Sequence, residues 1–339
     1  MDNTVYIQKA TKFILNFTSI LWEAMPFIVL GAVIAGILEE MLPQKLVARV
    51  LPRSRFLSIL MGGLLGIVFP MCECGIIPVM RRLLRKGLPL SCCTAYLLAG
   101  PIVNVVVILS TVFAFAKMEE AELKGVSLNQ MGSLWMTGCR VVIGYLVAVG
   151  TSLIVDREYQ KYGNALLTPL ATPSSLPLLE EKEEIEGKPI SQRLSNISET
   201  TLHDFTDITV FLIFGTLMTC TVRIWLTPDD IYKFASGGAV LAILLMMALA
   251  IILCLCSEAD AFVAASLVSL PAASKVAFLT LGPMMDFKLF MMYTRVFRPR
   301  LIWTIIISVV IQVFIYALLV QLFWERYGPI FMPTASPDT

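Results

Sequence analysis

Apolar residues fall along this chain in long unbroken blocks, and polar residues are confined to the gaps between them. Blocks at 18–38, 133–155, 204–226 and 301–323 are each long enough to cross a bilayer, for which about 20 residues suffice. Charges inside them are few, among them Glu23 in the first, Arg140 in the second and Arg223 close to the end of the third, and Pro26 can bend the first. Two further blocks, 88–116 and 272–297, are also long enough, but Gly100-Pro101 and Gly282-Pro283 interrupt them. Glycine and proline at such points break helix geometry. Two shorter apolar runs, 56–69 and 237–256, end in Pro70-Met71-Cys72-Glu73-Cys74-Gly75 and in Cys254-Leu255-Cys256-Ser257-Glu258-Ala259-Asp260. The run 78–86 after the first of these carries Arg81, Arg82, Arg85 and Lys86 and cannot sit in lipid. Residues 258–270 follow the second. The pattern predicts an all-α polytopic membrane protein.

Composition agrees. The 339 residues are 57% hydrophobic and 15% charged, against about 45–50% and about 25% in soluble domains. With 26 basic and 25 acidic residues and a net charge of +1, nothing favours nucleic acid as a partner. No small-residue cleavage site follows the first block, which is expected to be a retained span. The eight cysteines, at 72, 74, 92, 93, 139, 220, 254 and 256, lie in or beside apolar segments. That excludes a disulfide-stapled secreted domain and points to free thiols.

A shift of 182 residues superposes 66–108 on 248–290 without a gap. Cys72 then falls on Cys254, Cys74 on Cys256, Pro89 on Pro271, Gly100-Pro101 on Gly282-Pro283 and Asn104 on Asp286. Most identities are Cys, Gly or Pro, which mark backbone breaks rather than bulk hydrophobicity. The organisation expected is a first membrane repeat at 1–155, a hydrophilic linker on the cytoplasmic side at 156–203, a second repeat at 204–326 and a tail at 327–339. The linker holds a Pro/Ser/Thr-rich stretch at 168–177 and the acidic run 180–184, a composition typical of hydrated connectors. Paired interrupted helices in matching halves point to a transporter's binding site.

Charge placement bears on orientation. If 56–86 is a re-entrant hairpin, the basic residues Lys45, Arg49, Arg53 and Arg55 share the cytoplasmic side with Arg81, Arg82, Arg85, Lys86, Arg295, Arg298 and Arg300. The poorly basic loops at 117–132 and 227–236 then face outward, as the positive-inside rule prefers. Each half then has three crossings and a hairpin, and the second half is expected to be inverted; the alternative is four crossings per half in parallel. The broken and re-entrant helices are expected to meet at a central site.

Backbone that leaves helix geometry at membrane depth survives only inside protein or beside a wet cavity. Helix N-termini near Ile76, Ile102, Glu258 and Met284 would offer N–H donors there. Cys72, Cys74, Cys254 and Cys256 would bring thiols, which prefer soft acceptors such as Cu(I), Zn(II) or trivalent arsenic. Cys72, Cys74 and Cys256 are the candidate soft-metal or metalloid ligands. Glu73, Glu258, Asp260 and Asp286 are carboxylates at membrane depth, costly and usually functional, with Arg140 and Lys288 as buried partners. One of them can carry a proton against substrate, while Asp286, Asp260 and Asn104 also suit capping at a break. Ser257, Gly100, Pro101, Gly282 and Pro283 complete the candidate substrate site. Cys92, Cys93, Cys139 and Cys220 suit packing, as do the methionines. The sole histidine, His203, lies in a polar stretch and has no second imidazole to make a metal site.

The segments PMCECGIIPVMRRLLRKGLPLSCCTAYLLAGPIVN, CSEADAFVAASL and LGPMMDFK resemble the predicted permeases that include the organoarsenical efflux permeases (ArsP-type). The matching residues are Cys72, Cys74, Gly75, Pro78, Gly87, Gly100, Pro101 and Asn104, then Cys256, Ser257, Asp260, Ala261, Phe262, Gly282, Pro283 and Asp286. The resemblance implies efflux of trivalent organoarsenicals or of a related metal, metalloid or sulfur compound. Glu73, between the two cysteines, is a feature that can tune the site to a different soft substrate.

The expected function is therefore a secondary transporter in a bacterial inner membrane rather than an enzyme. It would need no resident cofactor and be driven by ion or proton coupling, since no Walker motif is present. Its expected partners are a small soft solute and the lipid bilayer, with a second copy or an accessory protein left open. The alternative is a membrane thiol–disulfide redox protein, against which stands the lack of any Cys-x-x-Cys spacing.

Overall fold

The computed structural model describes residues 2–41, 52, 54–122, 129–169, 171, 190–223, 238–267 and 270–331. The helices in these segments are α1 (Asp2–Met41), α2 (Arg55–Val68), α3 (Glu73–Arg85), α4 (Leu90–Ala99), α5 (Val105–Glu122) and α6 (Asn129–Tyr162), followed by α7 (Ile190–Arg223), α8 (Ala239–Leu253), α9 (Asp260–Ser266), α10 (Ala272–Leu281), α11 (Phe287–Tyr293) and α12 (Pro299–Phe331). Four of them, α1, α6, α7 and α12, contain stretches long and apolar enough to cross a membrane. Their outward faces are apolar: on α12, Trp303, Ile307, Ile311, Ile315, Leu319 and Leu322 form one exposed stripe at helical spacing. Such a stripe suits lipid, since tails are as apolar as the side chains they touch.

The repeat is visible in the elements. α4 and α10 start and end 182 residues apart, each with proline before its first turn and glycine after its last. α5 and α11 likewise start 182 residues apart. α2 packs on α4 as α8 packs on α10, and α4 packs on α6 as α10 packs on α12. The self-matching pairs α1–α7 and α6–α12 also touch. Close approach depends on glycine: a Cβ on Gly66 of α2 would stand 2.6 Å from Gly100 Cα.

Three sets of helix bounds bear on the sequence expectations. α1 is helical from Asp2, ahead of the apolar block at 18–38. The expected linker 156–203 is entered by helix from both sides, because α6 runs to Tyr162 and α7 starts at Ile190. The Gln160 amide donates to Asp156 at 2.7 Å, an i,i+4 bond that supports the added turn. Beyond it, Arg298 N–H donates to Leu166 O at 2.9 Å and Thr168 N–H to Val296 O at 3.1 Å, so 166–168 is docked on the second half. Third, helices resume at Glu73, Val105, Asp260 and Phe287 rather than near Ile76, Ile102, Glu258 and Met284. Cys72 O already accepts from Gly75 and Ile76 N–H, which starts α3 early. The acidic run 180–184, most of 168–177, Lys45, Arg49, Arg53, the loop 227–236 and residues 332–339 lie outside the described residues.

The basic clusters gather at one end. Arg81 and Arg82 of α3 both bond Asp204 of α7, Arg82 Nη2 at 2.9 Å, and Arg295 bonds Asp207 of α7 at 2.7 Å. Arg55 faces Asp156 at 3.7 Å and Arg300 donates to Tyr162 Oη at 2.8 Å. Asp204 is fully buried between its two guanidinium groups. Asp204→Asn is expected to cost about 1–3 kcal/mol, the range for a charged hydrogen bond lost from a buried site. Thermal unfolding of the detergent-extracted protein reads this; a variant as stable as the parent would show that water already screens the cluster.

Candidate functional site

The first break, between α2 and α3, leaves Cys72 in extended backbone as the residue before Glu73. Glu73 therefore stands in the first turn of α3, where a negative charge is favoured by the helix N-terminus. The side chain is buried, accepts from Lys288 Nζ of α11 at 3.0 Å, and takes a second bond from Ser257 Oγ at 3.2 Å. Ser257 belongs to the second break, between α8 and α9. Its carbonyl accepts from Arg140 of α6 at 2.9 Å, and Arg140 also bonds Asp260 at 2.8 Å and Thr111 Oγ1 of α5 at 2.7 Å.

Each half thus supplies one cation to a carboxylate of the other. Glu73, Arg140, Asp260 and Lys288 are all at most 1% exposed. Ser257 links the two pairs through its hydroxyl on one side and its carbonyl on the other. Paired buried charges of this kind are the usual state of ionisable groups at membrane depth.

The two Gly-Pro breaks are capped. Asn104 Oδ1 accepts from Val106 N–H at 3.0 Å, and Asp286 Oδ1 accepts from Leu289 N–H at 2.6 Å. Tyr293 Oη holds Met284 O at 2.9 Å. A Cβ on Gly282 would lie 3.9 Å from Asp260 Oδ2, and one on Gly100 would strike Ile76 of α3 at 2.3 Å. The fourth break thus stands beside the second, and the third beside α3. Pro101 and Pro283 sit in the turns after these glycines.

The thiols divide. Cys72, Cys74 and Cys256 are buried, and they lie near one another and near Glu73 and Lys288. Cys254, expected with them, instead ends α8 in the left-handed region at φ 45°. It lies beside Thr219 of α7 and the start of α11. The sequence echo made Cys254 equivalent to Cys72, but α8 runs farther before it breaks than α2 does, and α9 starts later than α3. Arg140 holds the Ser257 carbonyl outside any helix, whereas Gly75, the matching residue, lies inside α3. Among the described residues no three His, Cys, Asp or Glu side chains are arranged to hold a metal ion. Cys72, Cys74 and Cys256 come near one another without forming such a group, and Cys256 also lies near Lys288.

Glu258 is half-buried with neither carboxylate oxygen partnered. Glu23 of α1 stands within electrostatic reach of Glu73, Lys288 and Cys256. It was not among the candidate site residues, although a lone carboxylate within the first span was the signal that could have found it. Thr111 had no such signal. All eight cysteines are free.

A family profile described as a predicted permease matches residues 9–322. The chain belongs to that family. It is 33% identical over 306 residues to UPF0718 protein YcgR of Bacillus subtilis, covering 90% of this chain and 95% of the relative. It is 32% identical over 305 residues to a Streptococcus mutans protein named "Putative two-component membrane permease complex subunit", covering 90% and 93%. No solved structure matches the chain. Family membership and the four long apolar helices make this an integral membrane protein of a permease family, and the breaks described above fall inside the matched region.

Proposed function

We propose that this family member is a secondary transporter that exports a soft, thiol-reactive solute, with trivalent organoarsenicals as the leading class. The observation that carries the proposal is the meeting of Cys72, Cys74 and Cys256 on broken segments from both halves, beside the Glu73–Lys288 pair. A monosubstituted trivalent arsenical has two exchangeable hydroxyls. Two thiols displace them as water, and a neighbouring thiol can take over one bond to pass the solute on. Thiols suit this role because they bind soft acceptors tightly and exchange them quickly. The gathering of Arg55, Arg81, Arg82, Arg295 and Arg300 at one end supports the re-entrant arrangement, and with it an inverted second half in the cytoplasmic membrane of a bacterium. The two-component name of the Streptococcus relative supports a second membrane subunit beside this chain.

Uptake of methylarsenite into everted vesicles tests the proposal. Cys72→Ala, Cys74→Ala and Cys256→Ala are each expected to lower the initial rate by about tenfold or more. Unchanged accumulation in all three would remove the thiols from the mechanism. A reversible Cys72–Cys74 disulfide with no solute flux would support the redox alternative instead.

A further inference from the structure

The buried centre carries more negative than positive charge. Glu73, Asp260 and Asp286 are fully buried carboxylates, and Lys288 and Arg140 are the buried cations beside them. Lys288 is engaged by Glu73 at 3.0 Å and Arg140 by Asp260 at 2.8 Å. Asp286 is left over. Its Oδ1 caps α11, while its Oδ2 lies 3.9 Å from the already engaged Lys288 and has no hydrogen-bond partner. Half-buried Glu258 adds to the excess rather than offsetting it. An uncompensated carboxylate at membrane depth is costly, and a proton or a bound cation can remove that cost.

α7 packs on α11, the helix that Asp286 caps. The Arg295–Asp207 bond and the approach of Gly215 to Lys288, whose Cα would stand 3.0 Å from a Cβ on Gly215, set α7 and α11 antiparallel. That register brings Asp286 to the turn of α7 after Gly215. Thr219 is one turn beyond Gly215 on the same face, and Thr216 flanks it. Helical threonines commonly bond the carbonyl four residues back, as Thr206 and Thr221 of α7 do. Thr216 and Thr219 do not: both hydroxyl oxygens are buried and make no bond to the helix backbone, and Thr219 instead stands within reach of the Cys254 thiol, which in turn lies near Asp286.

We propose that Asp286 Oδ2, together with the Thr219 and Thr216 hydroxyls of the facing helix, forms a binding site for a sodium ion. Carboxylate and hydroxyl oxygens are hard ligands and suit a hard cation. The single negative charge at Asp286 itself, with Lys288 close by, matches a monovalent ion; calcium takes more oxygen ligands and more charge. The site sits at an interrupted helix pair, where secondary transporters hold their coupling ions. Its role as the coupling ion rests on the transporter proposal, but its occupancy does not.

The test uses the purified full-length chain in detergent without any solute. Thermal unfolding is followed against NaCl, KCl and choline chloride at constant ionic strength, with radioactive sodium binding as a second readout. Sodium is expected to raise the midpoint in a saturable way that choline and potassium do not reproduce. Asp286→Asn should abolish the sodium shift, and isosteric Thr219→Val should weaken the apparent affinity by about tenfold or more. Should Asp286→Asn fail to fold, Thr219→Val and Thr216→Val decide the matter. Equal midpoints in sodium and choline, a potassium shift as large as that of sodium, or a parental response in both threonine variants would overturn the site. A sodium response without arsenical flux would leave the ion site standing and sink the solute assignment.

Discussion

Lys288→Met is expected to be the most damaging single substitution at the centre of this protein. It leaves the Glu73 carboxylate buried, with only the Ser257 hydroxyl as a side-chain partner. Breaking a buried ion pair by removing one member costs about 3–5 kcal/mol, chiefly the penalty of the stranded charge. Little folded protein should survive detergent extraction, as read by size-exclusion chromatography of a fluorescent fusion. The double variant Glu73→Gln/Lys288→Met removes both charges, and most of the lost yield should return. Equal yields for the single and double variants would mean that the two side chains are not coupled in the membrane. The companion pair gives the internal comparison, since Arg140 also holds the Thr111 hydroxyl and the Ser257 carbonyl. Neutralising Asp260 together with Arg140 should therefore restore less.

Gly31→Ala is expected to have the second-largest effect, although it adds one methyl group to α1. That carbon would stand 2.6 Å from Gly75 O and 2.7 Å from Gly75 Cα, both main-chain atoms of α3. A flexible side chain could swing away, but the first turn of α3 cannot move without carrying Glu73 and Cys74 with it. Overpacking typically costs about 1–3 kcal/mol, and here the displaced turn also bears the charge and a thiol. The thermal midpoint should fall and transport should fall with it. Gly138→Ala on α6 is the control, since nothing lies within 4 Å of the added carbon. Similar midpoints for the two alanine variants would show that α1 and α3 are farther apart than they stand here.

Much of the architecture was legible because its signals are local. Apolar block length marks the long helices, and Gly100-Pro101 and Gly282-Pro283 mark the ends of α4 and α10. Proline before a helix and glycine after it act through their own backbone, so the repeat could be read from residue types. The partners at the centre were not legible, because they are distant in the chain: Lys288 and Glu73 are separated by 215 residues, and Arg140 and Asp260 by 120. Periodicity reports which face a residue lies on, not what stands opposite. Cys254 misled for a related reason. A shared shift implies shared geometry only while the backbone holds the same hydrogen bonds, and Arg140 takes the Ser257 carbonyl in one half alone.

The acidic turn of α7 has a mechanical consequence. Asp204 holds α3 through Arg81 and Arg82, and Asp207, one turn farther on, holds α11 through Arg295 while facing Arg81 at 3.9 Å. α3 starts at its opposite end with Glu73 and Cys74, just after Cys72, and α11 starts between Asp286 and Lys288. Both short helices are therefore tethered at one end to a single mast and bonded to each other at the other through Glu73 and Lys288. They form a closed frame whose sides cannot tilt separately. On the proposed transport cycle, exposing the thiols to one side of the membrane and then the other would swing this frame as a unit, and Ser257, which bonds Glu73 through its hydroxyl and Arg140 through its carbonyl, is the contact such a swing would break.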